Sequence, residues 1–162
     1  LAVLLLAVSC ATGLSQSNIW DTFKYWVQSN PTNIWDVSAY GLYNTTSTGL
    51  GAGARVGYNL NPSVSATFDV SYCDAALTFA SLSLTARATI PFSDWATVTP
   101  YVLAGPGWNV SSTYQQSIVA FAGSGAQIHI NKWKDVSFFG EYQSLFSDQQ
   151  QNRVVFGITR RF

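Results

Sequence analysis

The feature that most constrains this chain is a period of two in its hydrophobicity, carried by segments too short to cross a membrane as helices. Along residues 50–60, Leu50, Ala52, Ala54, Val56, Tyr58 and Leu60 alternate with Gly51, Gly53, Arg55, Gly57 and Asn59. Successive side chains of a β-strand point to opposite faces, so this spacing puts one apolar and one small or polar face on a single strand. Residues 63–72 repeat the pattern, Val64, Ala66, Phe68, Val70 and Tyr72 against Ser65, Thr67, Asp69 and Ser71. Residues 152–162 do so with Val154, Phe156 and Ile158 against Arg153, Val155, Gly157, Thr159 and Arg161. In residues 77–90, Ala80, Leu82, Leu84, Ala86, Ala88 and Ile90 alternate with Phe79, Ser81, Ser83, Thr85, Arg87 and Thr89.

Eight such segments, rich in Val, Ile, Tyr, Phe and Thr and separated by Gly, Asn, Pro, Asp and Ser, follow one another from residue 35: 35–43, 50–60, 63–72, 77–90, 97–110, 117–130, 136–146 and 152–162. Alternation alone fits two opposite barrels, a soluble lipocalin-like one with the apolar face inside and a membrane one with that face toward lipid. Charge decides between them. Soluble domains average roughly 25% charged residues, whereas this chain has 10%. Its polar face is mostly Ser, Thr and Gly, with single charges at Arg55, Asp69, Arg87 and Glu141, and Arg153 as a fifth member. Those residues read as a paired interior cluster. Eight strands leave a lumen just wide enough for inward side chains, and unpaired charges there are costly.

The aromatic residues give a second test, because membrane barrels carry aromatic girdles at both interfaces. Trp35, Tyr58, Phe92, Trp95, Trp133 and Phe162 fall toward one rim, and Tyr43, Tyr72, Trp108, Tyr142 and Phe146 toward the other. Both ends of an even-stranded barrel lie on one side, which puts the turns at 61–62, 92–96 and 131–135 on the side of the termini and the outer loops at 44–49, 73–76, 110–116 and 147–151 on the other. All four outer loops are short, which weakens an adhesin or receptor reading.

Upstream of the strands, the apolar run 1–8 followed by Ser9, Cys10, Ala11, Thr12 and Gly13 reads as the remainder of a secretory signal peptide spanning 1–13. Cys10 alternatively reads as a lipidation cysteine, although Ala7 stands where a lipoprotein box usually has Leu. Residues 14–34 form an extension in which 18–28 predict a short amphipathic helix, with Asn18 as cap and Ile19, Phe23, Trp26 and Val27 on one stripe. The echo of Asn18-Ile19-Trp20-Asp21 in Asn33-Ile34-Trp35-Asp36 is too short for a repeat unit.

The ending Val154-Val155-Phe156-Gly157-Ile158-Thr159-Arg160-Arg161-Phe162 resembles the last strand of bacterial outer-membrane barrels. In that family a terminal Phe and alternating hydrophobic residues are read by the barrel assembly machinery. Val154, Phe156, Ile158 and Phe162 match that assembly signal; Arg160 departs from it, standing where Tyr or another apolar residue is usual. The stretch 100–107, Pro-Tyr-Val-Leu-Ala-Gly-Pro-Gly, resembles a strand of small OmpA-like barrels. The resemblance covers roughly 35–162. It implies an all-β, eight-stranded antiparallel up-and-down transmembrane barrel in the bacterial outer membrane, with lipid and the assembly machinery as partners, and a monomer.

Chemistry finds little footing. One His and two Cys are too few for a zinc site of ordinary ligand spacing, so neither metal nor cofactor is expected. Zero net charge with scattered basic residues argues against nucleic acid. His129 is the only possible base for a serine nucleophile, and it lies at the periplasmic end of its strand, flanked by Gln127 and Asn131. The Gly51/Gly53 and Gly105/Gly107 pairs sit in strands and read as close packing, not as phosphate loops. The reading is a non-enzymatic barrel with a polar plugged lumen. A narrow ion or small-solute channel and a soluble lipocalin-like binding barrel remain as alternatives.

Overall fold

The computed structural model describes residues 35–73, 77–111, 117–133, 135–146 and 151–162. The expected signal peptide, Cys10 and the helix at 18–28 lie outside them, as do most of the outer loops beyond the first. The described chain is all β: β1 (Trp35–Asn44), β2 (Gly49–Asn61), β3 (Val64–Cys73), β4 (Leu77–Arg87), β5 (Ile90–Ser93), β6 (Ala96–Ser111), β7 (Ser117–Ile130), β8 (Val136–Phe146) and β9 (Gln151–Arg161). Consecutive strands pair antiparallel except β4 and β5, which both pair β6, and β1 closes on β9. The result is a closed eight-stranded barrel in which β4 and β5 make up a single stave.

The break in that stave has a local cause. The register is the same on both sides, Arg87 opposite Tyr101 and Ile90 opposite Val98, so Ala88 faces Pro100, whose carbonyl accepts Ala88 N–H at 3.1 Å but which has no N–H to return to the ladder. The strand expected over 77–90 therefore ends early and resumes. Phe92 and Ser93, expected in the 92–96 turn, belong to β5, which leaves Asp94 and Trp95 as the turn.

Side chains sort by parity. Large apolar residues are mainly on the outside, with Phe68 50% and Phe156 66% exposed, while Asp69 and Glu141 inside are 2% and 3% exposed. A surface of this kind is unfavourable in water and favourable in hydrocarbon. This excludes the soluble barrel, whose outer face would have to be polar. Exposed aromatics form the two rims: at the end holding Trp35 and Phe162, Trp35 packs edge-on against Tyr58 at 5.0 Å and Trp133 lies tilted against Phe138 at 5.8 Å. At that end the two chain segments close on each other, Phe162 N–H donating to Trp35 O at 2.8 Å.

The interior is less polar than expected. Tyr40, Leu42, Phe79, Leu103, Val119, Phe121, Phe139, Leu145 and Val155 are buried inside, in two apolar clusters. Glycine makes room for the rings: a Cβ on Gly107 would come within 2.5 Å of the Phe79 ring, one on Gly125 within 2.9 Å of Tyr101, and Gly53 and Gly157 lie against Tyr40. An inward aromatic on one strand thus covers a glycine on its neighbour, which fills the narrow lumen without splaying the staves.

Candidate functional site

The inward-facing residues are stacked in layers along the barrel axis. At the Trp35/Phe162 end, Asp36 of β1 accepts from Arg87 Nη1 at 3.3 Å and from Arg161 Nε at 2.9 Å. Arg87 also donates to Pro62 O at 2.9 Å and Asn59 Oδ1 at 2.5 Å. Arg87 therefore does not join the other four charges, contrary to the single cluster expected. Asp69 stands opposite Ser81, and Arg87 is six residues further along β4, about 20 Å at the rise of an extended strand. Its partners Asp36 and Arg161 share its end of the barrel.

A band of hydroxyl and amide contacts lies above that rim, with Ser38 and Thr159 at 2.8 Å, Thr67 and Ser83 at 2.5 Å, and Gln127 donating to Ser137. A cavity of about 50 Å³ opens here and reaches Arg55. His129, opposite Thr97 and Ser137, belongs to this end. Among the described residues no three His, Cys, Asp or Glu side chains converge as a metal site would need.

At mid-depth Arg55 is the hub. It faces Asp69 across the β2–β3 pair and donates Nε to Asp69 Oδ2 at 2.9 Å. Across the lumen its Nη1 and Nη2 hold Glu141 of β8 at 2.8 and 3.1 Å. Such a fork on a carboxylate is the strong form of this bond. Tyr40 Oη caps Asp69 Oδ1 at 2.5 Å, and Tyr101 Oη caps Glu141 Oε2 at 2.8 Å. The guanidinium carbon sits 5.7 Å from the Tyr40 ring centre and 5.6 Å from that of Phe139, within cation–π range. One residue thereby ties β1, β2, β3, β6 and β8 together.

Arg153 joins this hub through an amide. Gln143 donates to Glu141 and accepts from Arg153 Nε, while Arg153 Nη1 donates to Ser71 Oγ at 2.9 Å and its guanidinium lies 4.2 Å over Phe79. Beyond it the lumen turns apolar, lined by Phe79, Leu103, Val119, Phe121 and Leu145. Arg55, Asp69, Glu141 and Arg153 thus form one network and Arg87 a second.

Sequence reading missed Tyr40, Tyr101 and Gln143 in the first network and Asp36 in the second. A usable signal was present, since Tyr40 shares the parity of Ser38 and lies beside the glycine-rich inner face of β2. Of the terminal residues expected to form the assembly signal, Phe156, Ile158 and Phe162 are exposed on the outside and Val154 is half-buried. Arg160, also outside, lays its guanidinium 5.1 Å from the Phe162 ring centre.

Over residues 1–162 the sequence matches the model of a family described as outer membrane protein beta-barrel domain. No relative matches among curated proteins. Among solved structures, the N-terminal β-barrel domain of OprF from Pseudomonas aeruginosa superposes with a TM-score of 0.66 at 18% identity, covering 80% of this chain and 98% of that one. A de novo designed transmembrane β-barrel gives 0.65 at 18% identity, covering 83% and 100%. Ail of Yersinia pestis, as its backbone structure in a phospholipid bilayer nanodisc, gives 0.50 at 16% identity, covering 80% and 99%. At these identities the likeness is one of fold.

Proposed function

Because the chain belongs to the outer membrane protein beta-barrel domain family, we propose that it is a non-enzymatic structural barrel of the bacterial outer membrane, its lumen closed at mid-depth by the Arg55 network. The observation that carries this reading is one guanidinium holding two buried carboxylates on opposite walls, each capped by a tyrosine hydroxyl. Breaking such a buried pair costs about 3 to 5 kcal/mol, too much for frequent opening. The outer surface meets lipid, and the barrel acts as a monomer. The Val154, Phe156, Ile158 and Phe162 pattern is the element the assembly machinery engages.

One observation favours a narrow channel as the second reading. Cavities approach the network from both sides, about 50 Å³ reaching Arg55 and about 20 Å³ reaching Arg153, so the barrier is only a few side chains deep. Planar-bilayer recording distinguishes the two. The plug predicts little or no wild-type conductance and openings in Glu141→Ala, which strips Arg55 of its forked partner. A large, steady wild-type conductance that Glu141→Ala leaves unchanged would put the channel first.

A further inference from the structure

We propose that the lumen holds a site for one small, weakly hydrated anion of halide size, bound by Arg153 in the half of the barrel away from the Trp35/Phe162 end. Arg153 is 4% exposed, yet among the described residues no carboxylate lies within ion-pair distance of it. Both acidic groups of the network are held by Arg55 at 2.8 to 3.1 Å, and among the described residues Arg153 bonds the neutral Gln143 and Ser71. Its buried Nη2 meets no acceptor among the described residues. A buried guanidinium with an unused donor is an expensive arrangement, and a bound anion supplies the missing bond.

The neighbouring cavity suits such an ion. Its volume of about 20 Å³ is that of a single water-sized occupant. Beside Arg153 its polar lining is Asn44, Ser71, Cys73, Asn109 and Gln151, groups that each carry a donor, and among the described residues no carboxylate lines it. Leu42, Phe79 and Leu145 form the remainder. A cation would be repelled by the guanidinium. Sulfate and phosphate are too large for the space and too strongly hydrated for apolar walls. Chloride and bromide fit size, charge and hydration together.

The test uses the refolded full chain in nonionic detergent, with sodium chloride, bromide and gluconate compared at equal ionic strength. Thermal unfolding should shift upward and saturate with chloride or bromide but not with gluconate, and ³⁵Cl resonance should show excess broadening that bromide removes. Arg153→Gln should abolish both responses. Asn109→Leu fills the cavity without touching the charged network, and it should lose the halide response. If Arg153→Gln does not fold, Asn109→Leu decides. Equal unfolding in chloride and gluconate, or a halide response that survives in either variant, overturns the proposal.

Discussion

Replacing Arg55 by Met tests the central network most directly, because methionine keeps much of the side-chain volume and removes every donor. Three bonds are lost, one to Asp69 at 2.9 Å and two to Glu141 at 2.8 and 3.1 Å, and both carboxylates stay buried, 2% and 3% exposed. Removing one partner of a buried pair costs about 3 to 5 kcal/mol. Two such losses are not additive here. Asp69 keeps the Tyr40 hydroxyl, and Glu141 keeps the Tyr101 hydroxyl and the Gln143 amide, so the expected total stays near about 4 to 5 kcal/mol. Adding Asp69→Asn and Glu141→Gln removes the stranded charges, and the triple variant should recover to within about 1 to 2 kcal/mol of wild type. The assay is reversible urea unfolding in lipid vesicles, followed by tryptophan fluorescence and by heat-modifiable migration on gels. The quantity read is the recovery from Arg55→Met to the triple variant, expected at about 2 to 4 kcal/mol. Simple additivity, or a triple variant weaker than Arg55→Met alone, would refute the account of Arg55 as partner to both carboxylates.

On the lipid face, Ala54→Arg and Phe68→Arg should each cost about 2 to 4 kcal/mol in bilayers, whereas Thr67→Arg on the inner wall should be limited by space. Wild-type stability of Ala54→Arg in vesicles would reverse the facing. Gly107→Val forces a Cβ into the Phe79 ring, 2.5 Å away, and should lose about 1 to 3 kcal/mol in the same unfolding assay, part of it regained by adding Phe79→Leu. Deleting Phe162 should block insertion in cells and leave refolding into detergent intact, while Arg160→Tyr should insert at least as well as wild type; normal membrane insertion of the deletion would remove the assembly role given to the terminal strand.

The strands and their facing were legible in the sequence because a barrel wall is built from local rules. Period two sets which side of a strand each residue occupies, and glycine, asparagine and proline mark where it turns. The facing read for residues 50–60 and 63–72 is the facing the barrel adopts, since flipping even one strand would bury its apolar row and expose Arg55 or Asp69 to lipid. The break between β4 and β5 was harder to read, because apolar alternation runs on through Ala88 and Ile90 while the proline that interrupts the ladder, Pro100, stands on the facing strand. What only the tertiary structure decided is who meets whom inside. Arg55 finds Glu141, 86 residues away, across the lumen. Arg87, alike in charge and parity, goes to Asp36 because its height along the barrel axis differs. That height depends on how far each stave is displaced against the next once the sheet closes, a quantity no single strand carries. Tyr40 and Tyr101 entered the network for the same reason, as closure brought inward rings over glycines of neighbouring strands and their hydroxyls to the two carboxylates.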